Sequence, residues 1–439
     1  MKPPTNPRLL PALLASIFTL PAVADNTGGT AMGRDEGIFT LGQITVAGQR
    51  EDASSIGTTT IDREDMWDFS RNGLPEALNL VPGVFTTLGS GSRNEAEISV
   101  RGMDRQRVPL LMDGIRLYLP ADGRVDYDRF LTLDLSEVQV SKGYVSVLNG
   151  PDGMGGAINL VTRKPVKPFE GEVRISGAYG AGGQYNGNVL YANLGARQQS
   201  FYLQASAQQR DIKGWRLPGD FKPTQYENGG LRNHTDKKDQ RFSLKAGFTP
   251  NITDEYSLNY VYQEGSKSGM HPVEGGQGRG WDWPTWDTSS LYWLSHTQID
   301  SKSYIKTRAY YNTFKNTLSM YNDVARSILT QDSFYDDNAK GFSIEAGTDH
   351  LPQQTLKASF HYRRDEHVEW QRYHVASGTI SAGTTEPKQK NVEDLYSVAV
   401  ENTWHATPKF DLVVGISRDW RDTKEAQEWG QLVNNCQDP

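Results

Sequence analysis

The run Gly280-Trp281-Asp282-Trp283-Pro284-Thr285-Trp286 crowds indole rings into one short stretch. Flat rings of this kind can stack on a catecholate, a sugar or a corrin edge. Tyr118 and Tyr127 bound a second segment suited to the same contact. The indoles would serve equally as an aromatic girdle at a membrane surface, and residue type alone does not separate these uses. His234, His271 and His374 lack the spacing of metal ligands, so no metal site is expected. The sequence contains no Gly-x-Ser-x-Gly elbow, phosphate-binding loop or His-Glu-x-x-His pair, so neither catalysis nor a cofactor is expected. One further segment can act through its backbone. Gln43-Ile44-Thr45-Val46-Ala47 is a β-prone island within a stretch, 25–55, rich in Gly, Thr, Asp and Ser and expected to be flexible. An extended, tethered peptide of this kind can add to another chain's sheet edge whatever its side chains. The plainer reading is a linker or the first strand of the next domain.

What would hold these residues in place begins at the N-terminus. Lys2 and Arg8 precede an apolar run from Leu9 to Leu20, and Ala22-Val23-Ala24 offers the small residues of a cleavage site. Residues 1–24 are therefore expected to be a signal peptide, with the mature chain starting at Asp25. Pro11, Ser16, Thr19 and Pro21 interrupt the run too often for a membrane anchor of ~20 apolar residues. A net charge of -7 argues against nucleic acid, which needs a basic face to neutralise phosphates. The chain is 36% hydrophobic, which excludes a helical membrane protein but not a transmembrane barrel, where only alternate residues face lipid.

Residues 56–168 read as a compact α+β domain. Leu74 to Leu80 suggests a short helix closed by Pro82-Gly83. Strand-like segments follow at Glu97–Val100, Val108–Met112, Glu137–Val140 and Ala157–Val161, and Asp113-Gly114 is a hairpin signal. From residue 169 to 439 the texture becomes one of strands with period-two alternation, such as Phe201, Leu203, Ala205 and Ala207 against Tyr202, Gln204, Ser206 and Gln208. Short links near Arg197, Asn251, Asp300, Pro352 and Thr407 take turns with long ones at 214–237, 265–289, 321–337 and 372–391. That asymmetry is the mark of an outer-membrane barrel, with short periplasmic turns and long outer loops. About 11 strands are counted where a plugged barrel needs about 22, so the chain reads as the N-terminal part of a truncated barrel.

The ordered motifs of the α+β domain resemble the plug of the TonB-dependent receptor family. They are Leu80-Val81-Pro82-Gly83-Val84, Ile98-Ser99-Val100-Arg101-Gly102, Leu110-Leu111-Met112-Asp113-Gly114-Ile115, Val138-Gln139-Val140-Ser141-Lys142-Gly143, Val145 to Gly150, and Gly155-Gly156-Ala157 to Thr162. Any one would be weak, but all stand in the family's order. Gly102, Gly114, Gly143, Gly150, Gly155 and Gly156 suit the sharp turns of a plug folded back on itself.

The resemblance implies an outer-membrane receptor, a monomeric partner of the TonB energy-coupling protein, that takes up a ferric siderophore. Cobalamin, a glycan or another metal chelate are alternative ligands. A passive porin or a barrel enzyme would have no use for the plug. By the same resemblance Gln43 to Ala47 is the TonB box, with no room before it for an extra signalling domain. Arg101 and Lys142 stand where the family places two arginines that lock the plug to barrel glutamates. Lys142 keeps the charge but not the bidentate fork. Ligand contacts are implied at plug apices and outer loops, where Tyr118, Tyr127, Trp281, Trp283 and Trp286 are the candidates.

Overall fold

The computed structural model describes residues 37–44, 57–88, 93–117, 125–143, 145–180, 183–273, 280–323 and 325–430. Thr45, Val46, Ala47 and Tyr118 lie outside the described residues.

In the first domain, β1 (Thr58–Asp62) leads into α1 (Arg63–Asp68) and α2 (Leu74–Leu78). The carboxylate of Asp62 caps α1 by accepting from the Asp65 amide at 2.8 Å. Then come β2 (Val84–Leu88), β3 (Ala96–Val100), β4 (Met103–Asp104), β5 (Leu110–Met112), β6 (Ile115–Arg116), β7 (Leu135–Ser141) and β8 (Ala157–Thr162). They form a sheet in the order β1-β7-β8-β5-β6 and a smaller one, β2-β3-β4. Leu74, Leu78, Val100, Leu110, Val138, Val140, Ile158 and Leu160 make the shared core. Left-handed backbone shapes two turns at the centre of the domain. Asp113 and Gly114 (φ 50° and 73°) join β5 to β6 as the hairpin signal predicts. Gly156 (φ 127°) lies where a Cβ would come within 2.1 Å of the Ser141 carbonyl oxygen, so β7 and β8 can pair closely only over a glycine.

The second part is one antiparallel sheet of 11 strands in sequence order. These are β9 (Glu170–Tyr179), β10 (Tyr185–Arg197), β11 (Phe201–Ile212), β12 (Lys237–Phe248), β13 (Glu255–Ser268), β14 (Gly280–Asp300), β15 (Ser303–Tyr321), β16 (Leu329–Thr348), β17 (Gln354–Tyr373), β18 (Gln389–Thr407) and β19 (Phe410–Ala426). Among the described residues β9 and β19 are its two edges. Its burial is the reverse of a soluble sandwich. Leu203, Phe242, Leu244 and Leu258 are exposed, while Gln204, Ser206, Gln208 and Asn259 are buried. The polar face covers the plug and the apolar face looks out, as a wall surrounded by hydrocarbon requires.

Aromatic ladders bound that apolar face. Tyr256 stacks between Phe248 and Trp293 near the short-turn end. Tyr396 stacks between Tyr362 and Trp420 further up. Just beyond the second ladder, Arg364 pairs with Asp394 at 2.7 Å. Strands β14 to β18 continue well past this point, with 21, 19, 20, 20 and 19 residues. A tilted strand needs only about 10 to cross a bilayer, so the wall stands above the apolar band on the long-loop side.

Candidate functional site: the plug–barrel seam and its outward cavity

Residues 37–44 are packed, within a stretch that was expected to be flexible. Phe39 is fully buried, wedged among Ile115 and Val161 of the plug and Tyr202, Tyr292 and Leu294 of the wall. The Lys245 ammonium sits 3.3 Å above its ring centre. The Asn159 side-chain amide donates to the Gly42 carbonyl at 2.9 Å. Gln43 Nε2 donates to Glu137 Oε1 at 2.8 Å, and the Ile44 amide donates to Gln139 Oε1 at 3.2 Å. Asn159 ties this together, donating to Gln139 Oε1 and accepting from the Gly114 amide, each at 2.9 Å. Residues 37–44 are thus held by the side chains of β7 and β8, because their apolar and backbone groups find buried partners there. The composition of 25–55 gave no sign of this. Ile38, Phe39 and Leu41 are too few apolar residues to announce a wedge.

The same junction reaches the wall through Asp113. Its carboxylate accepts from the Thr162 amide at 2.8 Å, the Thr162 hydroxyl at 2.7 Å and the Tyr292 hydroxyl at 2.6 Å. Asp113 is fully buried.

Arg101 and Lys142 are brought together. Arg101 sits in left-handed backbone (φ 50°), its amide donating to the Gly83 carbonyl at 2.9 Å. Its guanidinium lies against Gly143, 3.2 Å from the position a Cβ would take there. Lys142 Nζ donates to the Pro82 carbonyl at 3.2 Å. Among the described residues no wall carboxylate reaches either cation.

One buried cluster of charges that joins plug to wall lies elsewhere, on Glu95, Asp126, Asp128 and Arg129 of the plug and Arg210, Lys237, Asp239 and Lys267 of β11 to β13. Arg129 pairs with Asp239 at 2.7 Å and Lys267 with Asp126 at 2.8 Å. Asp128 receives Arg210 at 2.9 Å and Lys237 at 2.6 Å, and Arg210 also reaches Asp239 at 2.8 Å. Gln263 Nε2 closes the group by donating to the Arg129 carbonyl at 2.7 Å. Sequence reasoning missed these residues. Asp239, Arg241 and Lys245 do alternate on one face of β12, but their plug partners Arg129, Asp134 and Thr162 lie in a different domain of the sequence.

This cluster makes plug docking pH-dependent. Burial opposes ionisation of Asp126 and Asp128, but Lys267 and Lys237 around the first, and Arg210 and Lys237 around the second, outweigh it and hold both carboxyls below the usual carboxylate range. The docked state therefore binds fewer protons than an undocked one whose carboxyls titrate near ~4. Docking is expected to be at full strength above that pH and to weaken as the pH falls below it. Hydrogen exchange of plug amides 126–134 at pH 6 and pH 3 checks this, and equal protection at both would contradict it.

The indoles do not form a lipid-facing girdle. Pro284 sits at a register shift between Asp282 and Thr285, and this turns both Trp283 and Trp286 toward the lumen. Lys267 Nζ lies 4.5 Å from the centre of the first ring and 5.0 Å from the second. Phe314 packs edge-on against Trp286 at 5.3 Å. Arg93 of the plug approaches Trp281 and Trp283 at 5.7 and 5.6 Å. Trp283 and Trp286 are buried, leaving Trp281, half-buried, with surface to offer a ligand. Tyr127, expected as a ligand contact, is instead in the plug core, where burial pushes its hydroxyl up to about 12. Of the histidines, His374 pairs with Asp332 at 2.7 Å and His271 is buried between loops.

On the long-loop side, plug and wall leave a cavity of about 1270 Å³. Its floor is α2 and β2 of the plug, and its side is β9 to β12 with the loop that joins β11 to β12.

Residues 50–157 match the family model "TonB-dependent Receptor Plug Domain". The first domain is a TonB-dependent receptor plug. The sheet around it has the fold of the receptor barrels in solved structures. The copper transporter OprC shares 17% identity and a TM-score of 0.67, over 84% of this chain and 54% of that one. The siderophore receptor PirA from Acinetobacter baumannii shares 16% identity and a TM-score of 0.65, over 88% and 59%. The ferripyoverdine receptor of the outer membrane of Pseudomonas aeruginosa shares 14% identity and a TM-score of 0.66, over 85% and 53%. The chain thus spans little more than half the length of the receptors it matches. The plug family and these neighbours are transport receptors, not enzymes.

Proposed function

We propose that this chain forms the plug and the first strands of an outer-membrane receptor for TonB-dependent, energy-coupled uptake of a ferric siderophore. The observation that carries the reading is the seat of Gln43 and Ile44. The strand-prone segment identified as a TonB box begins directly on β7 and β8 of the plug, held by Glu137 and Gln139. A passive pore has no use for a docked peptide on a plug that fills its lumen. Ligand would enter the cavity from the long-loop side, and the energy-coupling protein would pair with the released segment as an added strand. Binding favours release only through a difference in affinity between the two plug states, so tight binding alone transmits nothing. The siderophore reading is further supported by the siderophore receptor PirA and the ferripyoverdine receptor among the structural neighbours. Trp281 and Tyr118 are the proposed aromatic contacts.

Iron-limited growth of a receptor-deleted host carrying the complete gene tests the proposal, with ferric siderophores and cobalamin supplied one at a time. Growth on one ferric siderophore is expected, and it should be abolished when Ile44 and Val46 are both changed to proline, which removes the amides an added strand must donate. Growth on no siderophore, with the protein present in the membrane, would reject the proposal, as would growth that survives both prolines.

A further inference from the structure

The outer face of the wall carries an ordered set of charges above its apolar band. Pairing from β15 to β18 keeps a constant register through this region, so the side chains that point outward fall into level rows. Phe342, Tyr362 and Tyr396 form the aromatic row that ends the band. The next outward row is Lys340, Arg364 and Asp394, with Lys340 exposed and Arg364 forked onto Asp394 at 2.7 Å through both nitrogens. Two rows higher, Lys315 stands opposite Asp336 and Lys390 opposite Val368. In the row above that, Phe334 stacks on Trp370 at 5.1 Å, and the Lys388 ammonium lies 4.4 Å from the centre of the same indole. The ring thus holds a cation high on the wall.

A groove of about 460 Å³ runs between these rows, lined by Asp336, Asn338, Glu366, Val368, Lys388 and Lys390. Two of the lysines meet carboxylates across the strands, Lys390 with Glu366 at 3.1 Å and Lys315 with Asp336 at 3.6 Å. Such exposed pairs hold weakly, and an ammonium has three N–H donors, so each lysine can receive a further oxyanion. From the Arg364 row to the Trp370 row, Lys315, Lys340, Arg364, Lys388 and Lys390 outnumber Asp336, Glu366 and Asp394. The excess is positive and faces outward.

A lipid against β15 to β18 lays its acyl chains on the apolar band and its headgroup on these rows. A glycerophospholipid carries its phosphate beside the hydrocarbon boundary, where it meets the Lys340 row alone. Lys390 and Lys388 stand roughly 13 and 20 Å further along the strands, at ~3.3 Å per residue. A headgroup that reaches them needs phosphates at several heights on a saccharide scaffold. We infer that the outer face of β15 to β18 is a binding site for a phosphorylated glycolipid. Lys340 receives the phosphate nearest the acyl chains, and Lys388 and Lys390 receive those further out. The inference rests on the outer-membrane receptor reading, because it needs this wall to stand in lipid.

Native mass spectrometry of the full-length receptor in detergent tests it, with four lipids titrated in turn: rough lipopolysaccharide with a phosphorylated core, the same molecule with the core dephosphorylated, lipid A and phosphatidylglycerol. The phosphorylated-core form is expected to bind about tenfold or more tighter than the dephosphorylated one or phosphatidylglycerol. Lys388→Glu with Lys390→Glu should abolish that advantage while changing lipid A binding less than about twofold, since lipid A carries phosphates at the boundary only. Lys388→Arg with Lys390→Arg should keep it. Equal affinity for the two core forms, phosphatidylglycerol binding as tight as the glycolipid, or an advantage that survives the double charge reversal overturns the inference. Siderophore-dependent growth separates the two readings. Growth without selective glycolipid binding overturns this inference alone, and selective binding without growth on any siderophore overturns the uptake reading alone.

Discussion

Asp239→Ala is expected to loosen the plug from β11 to β13 by roughly 3–5 kcal/mol, the loss that follows when one member of a buried charge cluster is removed and its partners stay behind. Asp239 is fully buried and receives Arg129 from the plug and Arg210 from the wall. Without it, Arg129 keeps only backbone acceptors, the Ser266 and Lys238 carbonyls at 3.2 Å each, and Arg210 must lean on Asp128 alone. Asp239→Asn should cost less, since the amide oxygen can still accept from one guanidinium although the charge is gone. Limited proteolysis of the receptor in detergent reads the effect. Cleavage between residues 93 and 134 should rise steeply in the alanine variant and moderately in the asparagine one, with the wall intact. Equal resistance in all three proteins would show that apolar packing alone seats the plug.

The arrangement of strands was legible because each crossing obeys a period of two that the surroundings enforce. Lipid selects one face and the plug the other. That is why the short links near Arg197, Asn251, Asp300 and Thr407 fall at the observed turns. Where the surroundings stop selecting, the signal fades. The loops expected at 265–289 and 321–337 are shorter in the structure, because β14 begins at Gly280 and β16 at Leu329. These stretches stand above the apolar band, so their outer face no longer needs to be apolar and the alternation vanishes although the hydrogen-bond ladder continues. Pro284 masks the start of β14 further, being a residue that reads as a strand breaker and is tolerated here at a register shift. The helix α1 was missed for a different reason. Asp62, Glu64 and Asp65 supply a cap and an acidic first turn, but six residues are too few for a helical period to show.

The candidate site divides along the same line. The turn at Asp113-Gly114 and the neighbouring positions of Arg101 and Lys142 follow from local motif order. Contacts between distant segments do not. Lys267 and Asp126 are 141 positions apart, and nothing local in either neighbourhood marks the other as its partner. The indoles show how one inserted residue defeats a pattern argument. Trp283 and Trp286 are three apart and would occupy opposite faces of a regular strand. The register shift between them puts both in the lumen, where Lys267 takes their faces.

Asp113→Ala is expected to release the N-terminal segment as well as weaken the plug, because this one carboxylate carries three buried donors. The Thr162 amide, the Thr162 hydroxyl and the Tyr292 hydroxyl would each lose an acceptor, at about 1–3 kcal/mol for a buried group left unsatisfied. Alanine is also a poorer occupant than aspartate of left-handed backbone, which Asp113 adopts at φ 50°. Gly42 packs against Asp113 so closely that a Cβ there would lie 2.4 Å from Oδ1, so the segment's seat is shaped by the carboxylate itself. Loss of Asp113 should therefore propagate through the Gly114 amide and Asn159 to the bonds that hold Gly42 and Ile44. The measurable consequence is hydrogen exchange at the Ile44 amide, which should accelerate by about tenfold or more, the factor that ~1.4 kcal/mol represents. Gln139→Ala removes the Ile44 acceptor directly and should accelerate the same amide while leaving Tyr292 and Thr162 bonded to Asp113. If Ile44 exchanges at the native rate in Asp113→Ala but quickly in Gln139→Ala, the segment is held by β7 alone. In that case the turn at Asp113 carries no information from the wall to the N-terminus.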